Sequence, residues 1–182
     1  NLDRVTIYHF NVDGSGEFVG ESLLGNWLSC LDNPSFLKDI YTYLQENEGI
    51  IYQNNQSLAI NDIAKAGYDA YYLELLEQLE AKAYMIAPIF VEQKLWGLLG
   101  AYQNTTTRQW EEDEINALKQ VGLQIGVALQ KIDYLEQVKI QSDNLAQTLA
   151  REKAAKERLQ QQAVEMLRTV RPAFSGDLTV RA

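Results

Sequence analysis

The chain reads as an α+β protein, an antiparallel sheet with helices packed against it, extended by a long C-terminal helix. Three observations carry this reading. Two apolar runs, residues 83–91 and 95–102, are separated only by Glu92-Gln93-Lys94, as in two long strands joined by a turn. Helical spacing of apolar residues recurs between strand-like segments, at 36–46 and again at 71–80. Neither proline nor glycine interrupts residues 127–171, a stretch far longer than an ordinary globular helix.

The elements follow in order. Residues 5–10 (VTIYHF) alternate and are rich in β-branched and aromatic side chains, so they predict a strand. Asn11-Val12-Asp13-Gly14-Ser15-Gly16 is turn chemistry, and residues 17–23 return as the second strand of a hairpin. After Asn33-Pro34-Ser35, residues 36–46 carry apolar side chains at 36, 37, 40, 41 and 44, a helical period. Residues 57–63 predict a short strand ending in Asn61-Asp62. Residues 71–80 predict a helix with 72, 75, 76 and 79 on one side. Beyond the two long strands and a loop at 105–108, Trp110 and the acids 111–114 open the last helix, where the N-terminal partial positive charge favours carboxylates. Ile115, Leu118, Val121, Ile125 and Leu129 are expected to face inward.

Composition excludes several functions. The 182 residues are 46% hydrophobic, enough for a core. Net charge is −9 and the pI about 4.6, which argues against nucleic acid and anionic membrane surfaces as partners. The single cysteine, Cys30, cannot form an internal disulfide, and a reducing cytoplasm is the expected compartment. With one histidine, His9, the chain lacks the ligands of a zinc site and the pairs that nucleophilic catalysis needs, so an enzyme is not expected. His9 and Cys30 are both expected to be structural. No apolar run reaches the roughly 20 residues of a membrane helix. Opening in a strand and stopping after a glycine turn, the chain reads as a piece of a longer protein whose first helix precedes it.

From residue 135 the spacing alternates three and four without a slip: Leu135, Val138, Ser142, Leu145, Leu149, Glu152, Lys156, Leu159, Ala163, Met166 and Val170. About five heptads of this kind predict a left-handed coiled coil and a parallel homodimer. Ser142, Glu152 and Lys156 are polar members that lower affinity and can fix register. Pro172 is expected to end the helix near Arg171.

Three segments carry a family likeness: Ala66-Gly67-Tyr68-Asp69-Ala70-Tyr71-Tyr72-Leu73-Glu74-Leu75-Leu76, Lys94-Leu95-Trp96-Gly97-Leu98-Leu99, and Arg108-Gln109-Trp110. Together they resemble the GAF domains of cyanobacterial bilin photoreceptors, the cyanobacteriochromes, over roughly residues 3–132. The resemblance implies a GAF fold for residues 1–132, followed by a signalling helix at 133–171. It also implies where a bilin would sit. The family places a Cys-His pair just before the matching Glu-Leu-Leu, the Cys forming the thioether and the His contacting the pyrroles. Here that pair is Tyr71-Tyr72, and a phenol cannot replace a thiolate as nucleophile. A second-cysteine motif, Asp-x-Cys-Phe, corresponds to Asn33-Pro34-Ser35-Phe36, so Ser35 stands for the thiol. The strand motif Ala-His-Gln corresponds to Ala101-Tyr102-Gln103. Tyr71, Tyr72, Ser35 and Tyr102 are therefore degenerate bilin positions. No covalent cofactor is expected, and two extra rings should shrink the cavity.

Residues 172–182, with Gly176-Asp177-Leu178-Thr179, are similar to the entry of HAMP linkers, which join sensor domains to chemotaxis signalling rods. The resemblance implies a non-enzymatic module of a phototaxis or chemotaxis transducer, with neighbouring GAF and HAMP domains as partners. A sensor holding a small molecule or a bilin without a covalent bond is the other reading. Cyclic-nucleotide GAF domains carry Asn-Lys-x-Phe-Asp-Glu, absent here, and GAF-fold sulfoxide reductases need several redox cysteines.

Overall fold

A computed structural model describes residues 1–32, 52 and 54–175. The helix expected at 36–46 and Gly176 onward lie outside these residues. The described chain divides into two compact units, residues 1–131 and the unit beginning at Ile132.

The first unit is built on one antiparallel sheet, β1 (Arg4–Phe10), β2 (Gly16–Leu23), β3 (Leu58–Ile60), β4 (Ala83–Val91) and β5 (Lys94–Gln103), in the order β2-β1-β5-β4-β3. The β1–β2 hairpin turns where the sequence predicts. Gly14 takes φ +84°, and Asp13 Oδ1 accepts from the Ser15 amide at 2.9 Å. Helix α1 (Ala70–Gln78) starts at Asp69, whose Oδ1 accepts from the Tyr72 amide at 2.8 Å. Helix α2 (Glu112–Ser175) is 64 residues long.

Both faces of the sheet are covered, so β4 and β5 read as nearly continuous apolar runs instead of alternating. On one face Tyr84, Ile86, Leu98 and Tyr102 pack with Tyr72, Leu75 and Leu76 of α1 and with Leu79, which caps it. On the other, Ala83, Met85, Ala87, Ile89, Leu99 and Ala101 pack with Trp110 and Leu118, flanked by Ile115, Ile125 and Leu129 of α2. Two glycines set how closely α2 approaches β4. A Cβ on Gly126 would lie 2.0 Å from the Phe90 carbonyl oxygen, and one on Gly122 3.0 Å from that of Pro88. At Gly126 only hydrogen fits; at Gly122 a methyl group would be tight and the neighbouring strand would have to give by a few tenths of an ångström.

Four expectations need correction. The strand foreseen at 57–63 is only Leu58–Ile60, because Asp62 caps a short 3-10 turn, Ile63–Lys65, with its side chain. Val121 is not inward: it is 45% exposed. The contact stripe runs through Leu118, Gly122, Ile125, Gly126 and Leu129, with Val121 off its edge. Counting by sevens, Val121 and Ala128 lead to Leu135, the first seam position. Pro172 does not stop α2, which stays helical to Ser175. Near a C-terminus proline removes one backbone hydrogen bond, and the residue before it is disfavoured in α geometry but not barred from it. The fourth correction, Tyr71, belongs to the site below.

Candidate sensory face and helix junction

The α1 face of the sheet is a tyrosine cluster. Tyr8, Tyr52, Tyr72, Tyr84 and Tyr102 are all buried there, and Tyr68 is half-buried. The Tyr68 ring meets the Tyr72 ring edge-on at 4.8 Å, its hydroxyl is hydrogen-bonded to that of Tyr84, and the Tyr84 and Tyr102 rings lie 6.1 Å apart. Aromatic edges against faces are favourable beyond the area they bury.

The two tyrosines of the Tyr71-Tyr72 pair do different things. Tyr72 is 1% exposed, held inward by the first turn of α1 with Leu75 and Leu76. Tyr71 is 55% exposed, so only one of the two rings fills core volume. Helical geometry explains this, since adjacent residues point about 100° apart. Ser35 lies outside the described residues. Of the sequence-derived positions, Tyr72 and Tyr102 share the cluster and Tyr71 does not. A groove of about 620 Å³ opens elsewhere, between α2 and the β4–β5 turn, bordered by Phe90, Glu92, Asn116, Lys119 and Leu123.

Cys30 sits in a polar staple. Arg4, itself 1% exposed, reaches Cys30 Sγ at 3.5 Å, donates to the Leu28 carbonyl at 2.6 Å, and pairs with Glu21 at 3.5 Å. The Glu21 carboxylate accepts from the Cys30 amide at 3.0 Å and the Ser29 hydroxyl at 2.8 Å. Burial pushes the Cys30 thiol up to about 12, against the opposing pull of Arg4. It therefore stays protonated at neutral pH and is no nucleophile. His9 stacks on Trp96 with ring centroids 4.3 Å apart. Among the described residues, no group of His, Cys, Asp and Glu could hold a metal ion. Nor is any helix among them long and apolar enough to cross a membrane.

A second polar cluster joins the sheet to the start of α2. The buried Asp3 Oδ2 accepts from Gln103 Nε2 (2.5 Å), the Asn104 amide (2.8 Å), and the amide and hydroxyl of Thr105 (both 2.9 Å). Burial raises the Asp3 carboxyl, but these donors outweigh it and hold the group below its ordinary value. Asn104 Nδ2 donates to the Leu79 carbonyl at the end of α1, at 2.7 Å. Arg108 donates to Gln103 Oε1 and the Asn1 carbonyl, both at 3.0 Å. It also pairs with Glu114 in the first turn of α2 and lies over the Trp110 ring at 4.8 Å. Asn61 Oδ1 accepts from the Trp110 amide, and the Trp110 indole donates to the Ile60 carbonyl, both at 3.0 Å. The joint thus ties the end of α1, the edge near β3 and the chain start to the first turn of α2. Sequence reasoning missed Asp3, Asn61, Gln103 and Asn104. The available signal was polar residues clustered at strand ends just before a helix start.

In the second unit, residues 132–171 of α2 are exposed throughout. Every seam position from Leu135 to Val170 falls there, including Leu145, Leu149, Leu159 and Met166 with more than half of their surface open.

A five-stranded antiparallel sheet, a helix over one face and a long helix over the other define an α+β domain. Residues 1–129 match the GAF domain family, and the chain belongs to it. A Synechocystis sp. PCC 6803 protein, named as a candidate methyl-accepting chemotaxis protein, is 32% identical over 184 residues. The match covers 99% of this chain but only 17% of that protein. The third GAF domain of Slr1393 from Synechocystis sp. PCC 6803, solved in its photoproduct state, is 43% identical. It superposes with a TM-score of 0.68 over 75% of this chain and 87% of its own. The PixJ GAF domain of Thermosynechococcus elongatus, solved in its blue-light-absorbing form, is 29% identical. Its TM-score is 0.66 over 75% of this chain and 79% of that one.

Proposed function

We propose that this chain is a bilin-less GAF module of a phototaxis or chemotaxis transducer. It is non-enzymatic and cytoplasmic, pairs with a second copy through parallel α2 helices, and relays conformational change along them. The observation that carries this reading is the exposed heptad seam that runs on from the GAF unit without a break in α2. A lone helix would leave that apolar stripe in water. The relative matched over 99% of the chain, named for chemotaxis, supports the transducer context. The output then passes to a HAMP-like linker at residues 172–182 and to neighbouring domains.

The absence of bilin rests on three features. Tyr71-Tyr72 stands where the family has Cys-His, Tyr72 and Tyr102 occupy core volume, and Cys30 is protonated and buried. Signal arrives as a displacement of α1 or the β3 edge and reaches α2 through Asp3, Asn104, Arg108 and Trp110. The relay needs two packings of the helix pair that lie close in free energy, and polar seam residues keep the pair from locking.

Co-expression with bilin-synthesis enzymes tests the pocket. The purified protein is expected to be colourless. A visible absorption band that survives native purification and is lost in acid urea would instead establish a non-covalent bilin sensor.

A further inference from the structure

Between Leu149 and Leu159 α2 carries no large apolar side chain, yet Glu152 and Lys156 hold the two seam positions of that stretch. In a parallel pair each seam side chain enters a hole made by four residues of the facing helix. The hole for Glu152 comprises Leu149, Glu152, Lys153 and Lys156 of the second copy. The hole for Lys156 comprises Glu152, Ala155, Lys156 and Leu159. Each copy therefore offers its carboxylate to the other's ammonium, and the same two residues are also four apart with the acid first within one helix.

We infer that Glu152 and Lys156 determine the specificity of the self-association surface, closing a ring of alternating charge with the same residues of a second copy and fixing its parallel, in-register alignment. This rests on the helix pairing proposed above and adds which residues select the alignment. A slide of one heptad keeps one Glu152–Lys156 contact. It strands the other carboxylate in a hole made by Ser142, Leu145, Ala146 and Leu149. A carboxylate that loses its partner across the seam and faces leucine is the repulsive element that makes an alignment specific. The ring contributes selectivity more than affinity, since ion pairs of this kind are often no stronger than apolar replacements.

The experiment uses the 182-residue chain. E152K and K156E, purified separately, each place four like charges in the layer. Each dimer is expected to dissociate about tenfold more readily than the parent. Both positions are exposed outside the sheet unit, which holds all three tryptophans, so tryptophan near-ultraviolet circular dichroism should be unchanged. Mixed together, the two variants should form heterodimers well above the statistical share of about half. Unchanged dissociation constants, or heterodimers at the statistical share, would overturn the ring. Ser142→Cys tests alignment, because an antiparallel pair centred near residue 154 would also set Glu152 against Lys156. A disulfide-linked dimer forming on mild oxidation is expected, with the buried Cys30 taking no part. Intact dimers that do not cross-link would overturn the parallel alignment. A monomeric parent chain would overturn the pairing itself, a result distinct from either.

Discussion

Asp3 accepts four hydrogen bonds on one carboxylate oxygen. Replacing it by asparagine removes the charge that these donors share. Hydrogen bonds to a charged group contribute about 1.5–3 kcal/mol, so Asp3→Asn should destabilise the first unit by about 2 kcal/mol. Chemical denaturation at pH 7 checks this. The acid limb of the stability curve has the same origin. Asp3, Glu21 and Glu114 are all held below their ordinary values, so each contributes stability that is present above the unfolded carboxylate range. That stability is lost as pH falls through the depressed folded values. Stability should therefore decline below about pH 4.5, less steeply in Asp3→Asn than in the parent. A second residue-scale prediction separates the two tyrosines. Tyr72→Ala should cost about 3–5 kcal/mol, as for a buried aromatic. Tyr71→Ala, at an exposed site, should change the melting midpoint little.

At the scale of elements, α2 is positioned by absence: Gly122 and Gly126 let the helix backbone rest on the carbonyls of Pro88 and Phe90. Gly126→Ala forces the helix off the strand and should cost about 1–3 kcal/mol, read as a lower thermal midpoint with the sheet intact. This also explains what could and could not be read from the residues. The two long strands were legible because burial on both faces makes them apolar throughout. The β1–β2 turn was legible because Asp13 and Gly14 are local turn chemistry. The inward face of α2 was misjudged at Val121 because glycine, not a large apolar residue, marks its closest approach. The joint at Asp3 and Asn104 was invisible because its partners lie about a hundred residues apart and its signal is polar residues in loops. Family likeness singled out Tyr72 and Tyr102, and the structure buries both in the tyrosine cluster, while Tyr71 needed the helix phase to reveal its exposure.

For the whole molecule, a folded GAF unit that ends in an exposed apolar seam has a simple consequence. Residues 1–131 hold a two-sided core of their own, and the seam residues from Leu135 to Val170 are exposed. In the proposed pairing, its apolar surface is buried between copies. A single charge in the strongest part of the seam, Leu145→Asp, should therefore loosen the pair by tenfold or more in roughly the way one buried unpaired carboxylate does, leaving the sheet unit's stability unchanged. Analytical ultracentrifugation with parallel denaturation separates the two effects. Multi-angle light scattering on the full chain and on residues 1–132, both at tens of micromolar, tests the proposed pairing most directly. A dimer is expected for the full chain and a folded monomer for the shortened one. A full chain that remains monomeric would rule the pairing out.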